Sequence, residues 1–81
     1  MNIDTFLVIH KEVTLFEIQS ETSPLTSSFM EKLCNGLEKH INHTFRIGQF
    51  TFQDGKSEQE EWEVDFTYQG NMNKLRLLKL K

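Results

Sequence analysis

The side chains best equipped for chemistry in this 81-residue chain are one thiol and three imidazoles: Cys34, His10, His40 and His43. As metal ligands they are badly spaced. Cys34 and His40 stand six positions apart, about 240° around a helix, so they point away from each other. His40 and His43 can share a face, but no CxxC or HExxH pattern stands beside them to complete a site. A solvated helix end accounts for both, and no metal is expected. To act as a nucleophile, Cys34 would have to be exposed and to meet an imidazole such as His10 across the fold. It falls instead on or beside an apolar stripe, where a thiol behaves as a small hydrophobe.

Carboxylates are plentiful but poorly placed for acid–base work. Asp54, Glu58, Glu60, Glu61, Glu63 and Asp65 are six of the chain's 12 acidic residues. They alternate with Trp62 and Val64, which puts most of them on a solvated strand face with no pocket to shift a pKa. The glycines, at 36, 48, 55 and 70, are scattered and form no phosphate loop. The chain therefore reads as non-enzymatic and without a cofactor.

Lys74, Arg76, Lys79 and Lys81 form a basic strip at the end of the chain, the one feature suited to a nucleic acid. A net charge of −3 works against that partner. The strip also has acids to pair with. Glu61-Trp62-Glu63-Val64-Asp65-Phe66-Thr67-Tyr68 has the period-two pattern of a half-buried strand, and Gly70-Asn71 suits a two-residue turn. Folding back across that turn sets Phe66 against Leu75, Asp65 against Arg76 and Val64 against Leu77. A bulge at Leu78 then brings Glu63 to Lys79, Trp62 to Leu80 and Glu61 to Lys81. The strip thus becomes half of a charge ladder, each pair contributing ~0.2–1 kcal/mol.

The remaining elements follow from periodicity. Ser23-Pro24 is a helix-start signal, after which Leu25, Phe29, Leu33, Leu37 and Ile41 recur every four residues. The expected amphipathic helix spans about 24–43, with Ser28-Phe29-Met30-Glu31 as an alternative capping box. Gly36 inside it permits a close approach by a strand or a partner. Phe45, Ile47, Phe50 and Phe52 form an aromatic strand with a phase break at Gly48-Gln49, the signature of a bulge. A tight turn at Asp54-Gly55 would pair Ile47 with Trp62, Phe45 with Val64 and Arg46 with Glu63. The alternative is a longer loop through 54–60. Residues 3–19 are β-branched and aromatic, which favours one bent strand or two short ones. Yet Phe6, Ile9, Val13 and Phe16 also fit helical spacing.

The expectation is a single α+β domain: N-terminal strand material, one amphipathic helix, and a three-stranded antiparallel meander over about 45–80 that the helix covers. The longest apolar run, Phe6 to Ile9, is far below the roughly 20 residues of a membrane span. A single cysteine and the lack of a basic-then-apolar leader pattern favour a reducing, cytoplasmic setting. With chemistry weakly supported, protein binding is the favoured function. Phe50, Phe52 and Trp62 are the candidate contacts on a sheet face. The N-terminal strand or the basic last strand offers an edge for strand addition or homodimerisation.

Overall fold

A computed structural model describes residues 3–22, 24, 26–41, 46–53 and 61–80, with residue 41 and residues 46–53 described in backbone alone. The chain runs β1 (Asp4–His10), β2 (Val13–Ser20), α1 (Ser27–Ile41), β3 (Arg46–Gln53), β4 (Glu61–Tyr68) and β5 (Asn71–Lys79). The strands form one antiparallel sheet in the order β2-β1-β5-β4-β3. The expected meander β3-β4-β5 is present, and the N-terminal hairpin adds two strands beside β5.

Alternation sorts the strand residues between the two faces. Phe6 and Val8 of β1, Ile18 of β2, Trp62, Val64 and Phe66 of β4, and Leu75 and Leu77 of β5 are buried against Phe29, Leu33 and Leu37 of α1. The Phe29 ring meets Phe6 edge-on at 4.9 Å, and Phe6 meets Trp62 at 5.8 Å. Such pairs add about 0.5–1.5 kcal/mol beyond the area they bury.

The N-terminal segment is two strands, joined at Lys11-Glu12. Both residues have positive φ, 50° and 67°, the backbone of a type I′ turn. A bulge then shifts the β1–β2 register, from Val8 opposite Phe16 to Ile9 opposite Thr14. Leu15 is the extra residue, and it packs against the core beside Phe16.

The β4–β5 hairpin corrects the expected register. Its turn is Gln69-Gly70, with φ of 51° and 77°, so Tyr68 faces Asn71, Val64 faces Leu75 and Trp62 faces Leu77. The pairing runs without a bulge at Leu78. Moving the turn by one residue slides the strands by two, which keeps the side chains of residues 74–77 on their expected faces. Without the bulge, however, Lys79 falls opposite Phe6 on the helix side and not on the Glu63 face. Gly sits at the second turn position, where the favoured X-Gly pairs of type I′ turns place it.

On β3 the phase break appears as expected, between Ile47 opposite Phe66 and Phe50 opposite Val64. The tight-turn pairing is replaced by the longer connection: Gln53 faces Glu61, and residues 54–60 lie outside the described residues. The helix begins at Ser27, later than the expected 24, and is described as far as Ile41; residues 42 and 43 lie outside the described residues. Its cap is Thr26 rather than Ser28: the Phe29 amide donates to Thr26 Oγ1 at 3.3 Å, and the Met30 amide to the Thr26 carbonyl at 3.1 Å. Hydroxyl contacts from Ser20 to Thr22 (2.9 Å) and from Thr26 to Thr22 (2.9 Å) tie this cap to the end of β2.

Candidate functional site

Position in the sheet decides what the basic strip can do. β5 lies at the centre, hydrogen-bonded to β1 and β4, so the basic last strand is not an edge and no strand can add to it. The strip is also split between faces. Lys74 and Arg76 alternate with the buried Leu75 and Leu77 and so lie on the face away from α1. Lys79 stands opposite the buried Phe6 on the helix side, where its Nζ is 3.7 Å from Asp4. Lys81 lies outside the described residues. On the outer face, Lys74 meets Glu63 at 3.8 Å, and Arg76 donates to Glu61 with Glu12 at 3.9 Å. The hydrogen bond to Glu61 raises the Arg76 pKa, against an opposing effect of burial. The charge ladder exists, but its partners differ from those expected. Asp65 stands opposite Lys74, and Glu63 opposite Arg76.

The aromatic candidates divide as well. Trp62 is 3% exposed and belongs to the core under α1, where its indole covers Phe6 and has no surface to offer a partner. Phe50 stands opposite Val64 and Phe52 opposite Trp62; their side chains lie outside the described residues.

Two other surfaces emerge from the fold. One is the outer face, where Leu7 faces Leu78 and Ile9 faces Arg76 across β1 and β5. These three apolar side chains are half-buried among the charged pairs. The other is the free edge of β2. The Leu80 amide donates to the Thr5 carbonyl at 2.8 Å, so the backbone polar groups of Thr5 point toward β5. Its partner across β1–β2, Gln19, must then turn its own N–H and C=O outward. Lys32 Nζ from α1 reaches that outward Gln19 carbonyl at 2.9 Å. By the same alternation Glu17, opposite Leu7, also turns its backbone groups to the edge.

Between this edge and α1 runs a groove of about 400 Å³. Its helix side carries Lys32, Asn35, Lys39 and His40, which recur at helical spacing on one face. Phe16 closes the floor: its ring lies on the Cα of Gly36 and stacks on His40 at 4.8 Å with 9° between planes. The expected close approach at Gly36 is thus made by β2. A second cleft, of about 370 Å³, opens where β1 leaves β5 at the Lys11-Glu12 turn. There His10 Nε2 lies 3.4 Å from Asn73 Oδ1, and its ring meets Phe66 edge-on.

The groups able to do chemistry are kept apart. Cys34 is half-buried, and burial, then the nearby Glu38, push its thiol pKa up, which disfavours the thiolate needed for attack. His10 packs on Phe66 and His40 on Phe16, on different elements; His43 lies outside the described residues. Among the described residues no three His, Cys, Asp or Glu side chains converge on a metal position, and no helix is long and apolar enough to cross a membrane. No protein-family model, curated protein or solved structure matches the chain.

Proposed function

We propose that the chain is a small non-enzymatic, intracellular protein-binding module, acting as an inhibitor, immunity factor, chaperone or assembly adaptor. The observation supporting this most strongly is one-sided layering. α1 covers one face of a five-stranded sheet, while the other face carries half-buried Leu7, Ile9 and Leu78 and β2 ends the sheet with outward backbone groups. Exposed edges and apolar patches of this kind are what protein partners cover.

Affinity capture from the native organism, followed by reconstitution with the captured protein, tests the reading. Saturable binding that persists as salt rises is the expected result. Binding to DNA or RNA that falls steeply across a salt series would overturn it, because phosphate contacts release counterions.

The aromatic route has its own test. If Phe50 is a contact, Phe50→Ala weakens the captured complex by ~2 kcal/mol or more and leaves the melting temperature nearly unchanged. If its ring is packed inside, the same change lowers stability by roughly 3–5 kcal/mol, and the contact must be sought at the β2 edge.

A further inference from the structure

The geometry points to the groove between β2 and α1 as the seat of an extended peptide segment with acidic side chains, which adds to β2 as a sixth strand. This deepens the protein-binding reading and rests on it.

The first support is the backbone. Glu17 and Gln19 present N–H and C=O groups at a free sheet edge, the template on which strand addition operates. Of these groups, the Gln19 carbonyl holds Lys32 Nζ at 2.9 Å. A lysine laid over an edge is a familiar guard against unwanted pairing. Its long stem lets it leave when a peptide N–H takes the carbonyl, carrying the ammonium to the incoming strand.

The second support is charge. In a chain of net charge −3, this groove is lined by Lys32, Lys39 and His40 against one carboxylate, Glu17. The outer-face cations are neutralised by Glu61, Glu63 and Glu12, whereas Lys32 meets a backbone carbonyl in place of an acid. An added strand places same-face side chains about 7 Å apart. Carboxylates at alternate positions therefore fall within reach of Lys32 and Lys39, which lie seven residues, about 10.5 Å, apart along the helix. A basic or apolar strand would meet the same backbone edge but leave these ammonium groups without a partner, so charge selects among extended segments.

The third support is rigidity. Phe16 is wedged between the Gly36 backbone and His40, which fixes the spacing between strand and helix. The groove is therefore already formed before any peptide arrives, which lowers the cost of binding.

The test uses the full chain and ten-residue peptides in which Glu alternates with Val, Thr or Phe. The same peptides with Lys for Glu, and a single-stranded DNA oligonucleotide, serve as controls. Acidic peptides should bind and slow hydrogen exchange at the amides of Glu17 and Gln19, the direct mark of strand addition. Lys32→Glu with Lys39→Glu should weaken that binding at least tenfold. Gln19→Pro, which removes an outward N–H that β1 does not use, should abolish the protection. Failure of the acidic peptides to bind, equal binding by the basic ones, or DNA binding without protection of these amides would overturn the proposal. If a captured protein partner binds both variants like the unaltered chain, the groove assignment fails and the protein-binding reading stands. If only DNA binds, both fail.

Discussion

The two faces of the sheet are made by the same strands and stabilised by different physics. Toward α1, Phe6, Val8, Trp62, Val64, Phe66, Leu75 and Leu77 are almost fully removed from water. Away from it, Glu61, Glu63, Asp65 and Arg76 lie half-buried around Leu7, Ile9 and Leu78, with Lys74 exposed. Burial of apolar area contributes about 25 cal/mol per Å², while exposed or half-exposed ion pairs contribute ~0–1 kcal/mol each. The helix-covered face therefore holds the fold. The open face leaves surface that can change without unfolding the chain.

The sharpest way to break this comparison is one truncation on each face. Phe29 is fully buried and touches Phe6, so Phe29→Ala should cost roughly 3–5 kcal/mol. That is a large part of the ~4–12 kcal/mol available to a domain of this size, and the variant should be partly unfolded at 37 °C. Phe29→Leu gives a measurable intermediate. Leu78→Ala on the open face should cost only about 1 kcal/mol, since a half-buried side chain loses less area. Chemical denaturation of the three variants checks the order. Equal losses at Phe29 and Leu78 would mean that the open face is also a core.

Next in size is the contact between helix and edge strand. A Cβ at residue 36 would overlap Cε2 and Cζ of the Phe16 ring. Gly36→Ala gains about 1 kcal/mol of helix propensity, but the wedged ring must move, at a typical overpacking cost of 1–3 kcal/mol. A net loss of about 1 kcal/mol is expected. Adding Phe16→Leu should recover part of it, and a double-mutant cycle measures the coupling.

How much of this was legible in the sequence depended on which force set each feature. The helix stripe Phe29, Leu33, Leu37 and the alternation of residues 61–68 are hydrophobic patterns, and both survive in the structure. The β4–β5 register was missed by two residues because apolar and charge matching cannot separate the alternatives. The observed slide still sets Val64 against Leu75, Trp62 against Leu77, Asp65 against Lys74 and Glu63 against Arg76, while leaving Phe66 opposite Asn73 and Glu61 opposite Leu78, and the decision belongs to the turn. The N-terminal hairpin was obscured by two local exceptions. Lys11-Glu12 turns the chain without the Gly or Asn that usually marks positive φ, and the Leu15 bulge breaks the period-two pattern and leaves the helix-like spacing of Phe6, Ile9, Val13 and Phe16. The candidate groove was hidden for a different reason. The sequence offers the N-terminal strand as an edge, but strand order and the seating of α1 beside it are long-range facts that no local pattern encodes. Trp62 illustrates the same gap: a large aromatic on an amphipathic strand looks alike whether it faces a helix or a partner.

The Lys11-Glu12 turn supplies a prediction of similar size and opposite sign. Two side chains in the left-handed region each cost about 1 kcal/mol relative to residues suited to it. Lys11→Asn with Glu12→Gly should therefore stabilise the hairpin by about 1–2 kcal/mol. For a domain of this length that raises the melting temperature by roughly 4–8 °C per kcal/mol. The loss of the 3.9 Å contact between Glu12 and Arg76 subtracts little, because Glu12 is 89% exposed. A lowered melting temperature would mean that the turn side chains contribute contacts beyond their backbone.

The smallest effect should come from the ladder on the open face. Arg76 is its most connected member, bonded to Glu61 and close to Glu12, yet its side chain is 42% exposed. Solvent screens both partners, and neither carboxylate becomes a buried, unpaired charge when the guanidinium is removed. Arg76→Gln keeps most of the stem that lies over the sheet and should lower stability by ~0.2–1 kcal/mol. Part of that loss should vanish at 1 M salt, where the Debye length falls to about 3 Å. The register should not move, because it is set by the Gln69-Gly70 turn and by the apolar residues of the other face. Unchanged cross-strand contacts between Val64 and Leu75 in the variant, seen by nuclear Overhauser effects, would bear this out. A loss above about 2 kcal/mol, or a slipped hairpin, would show that charge on the open face helps to specify the fold.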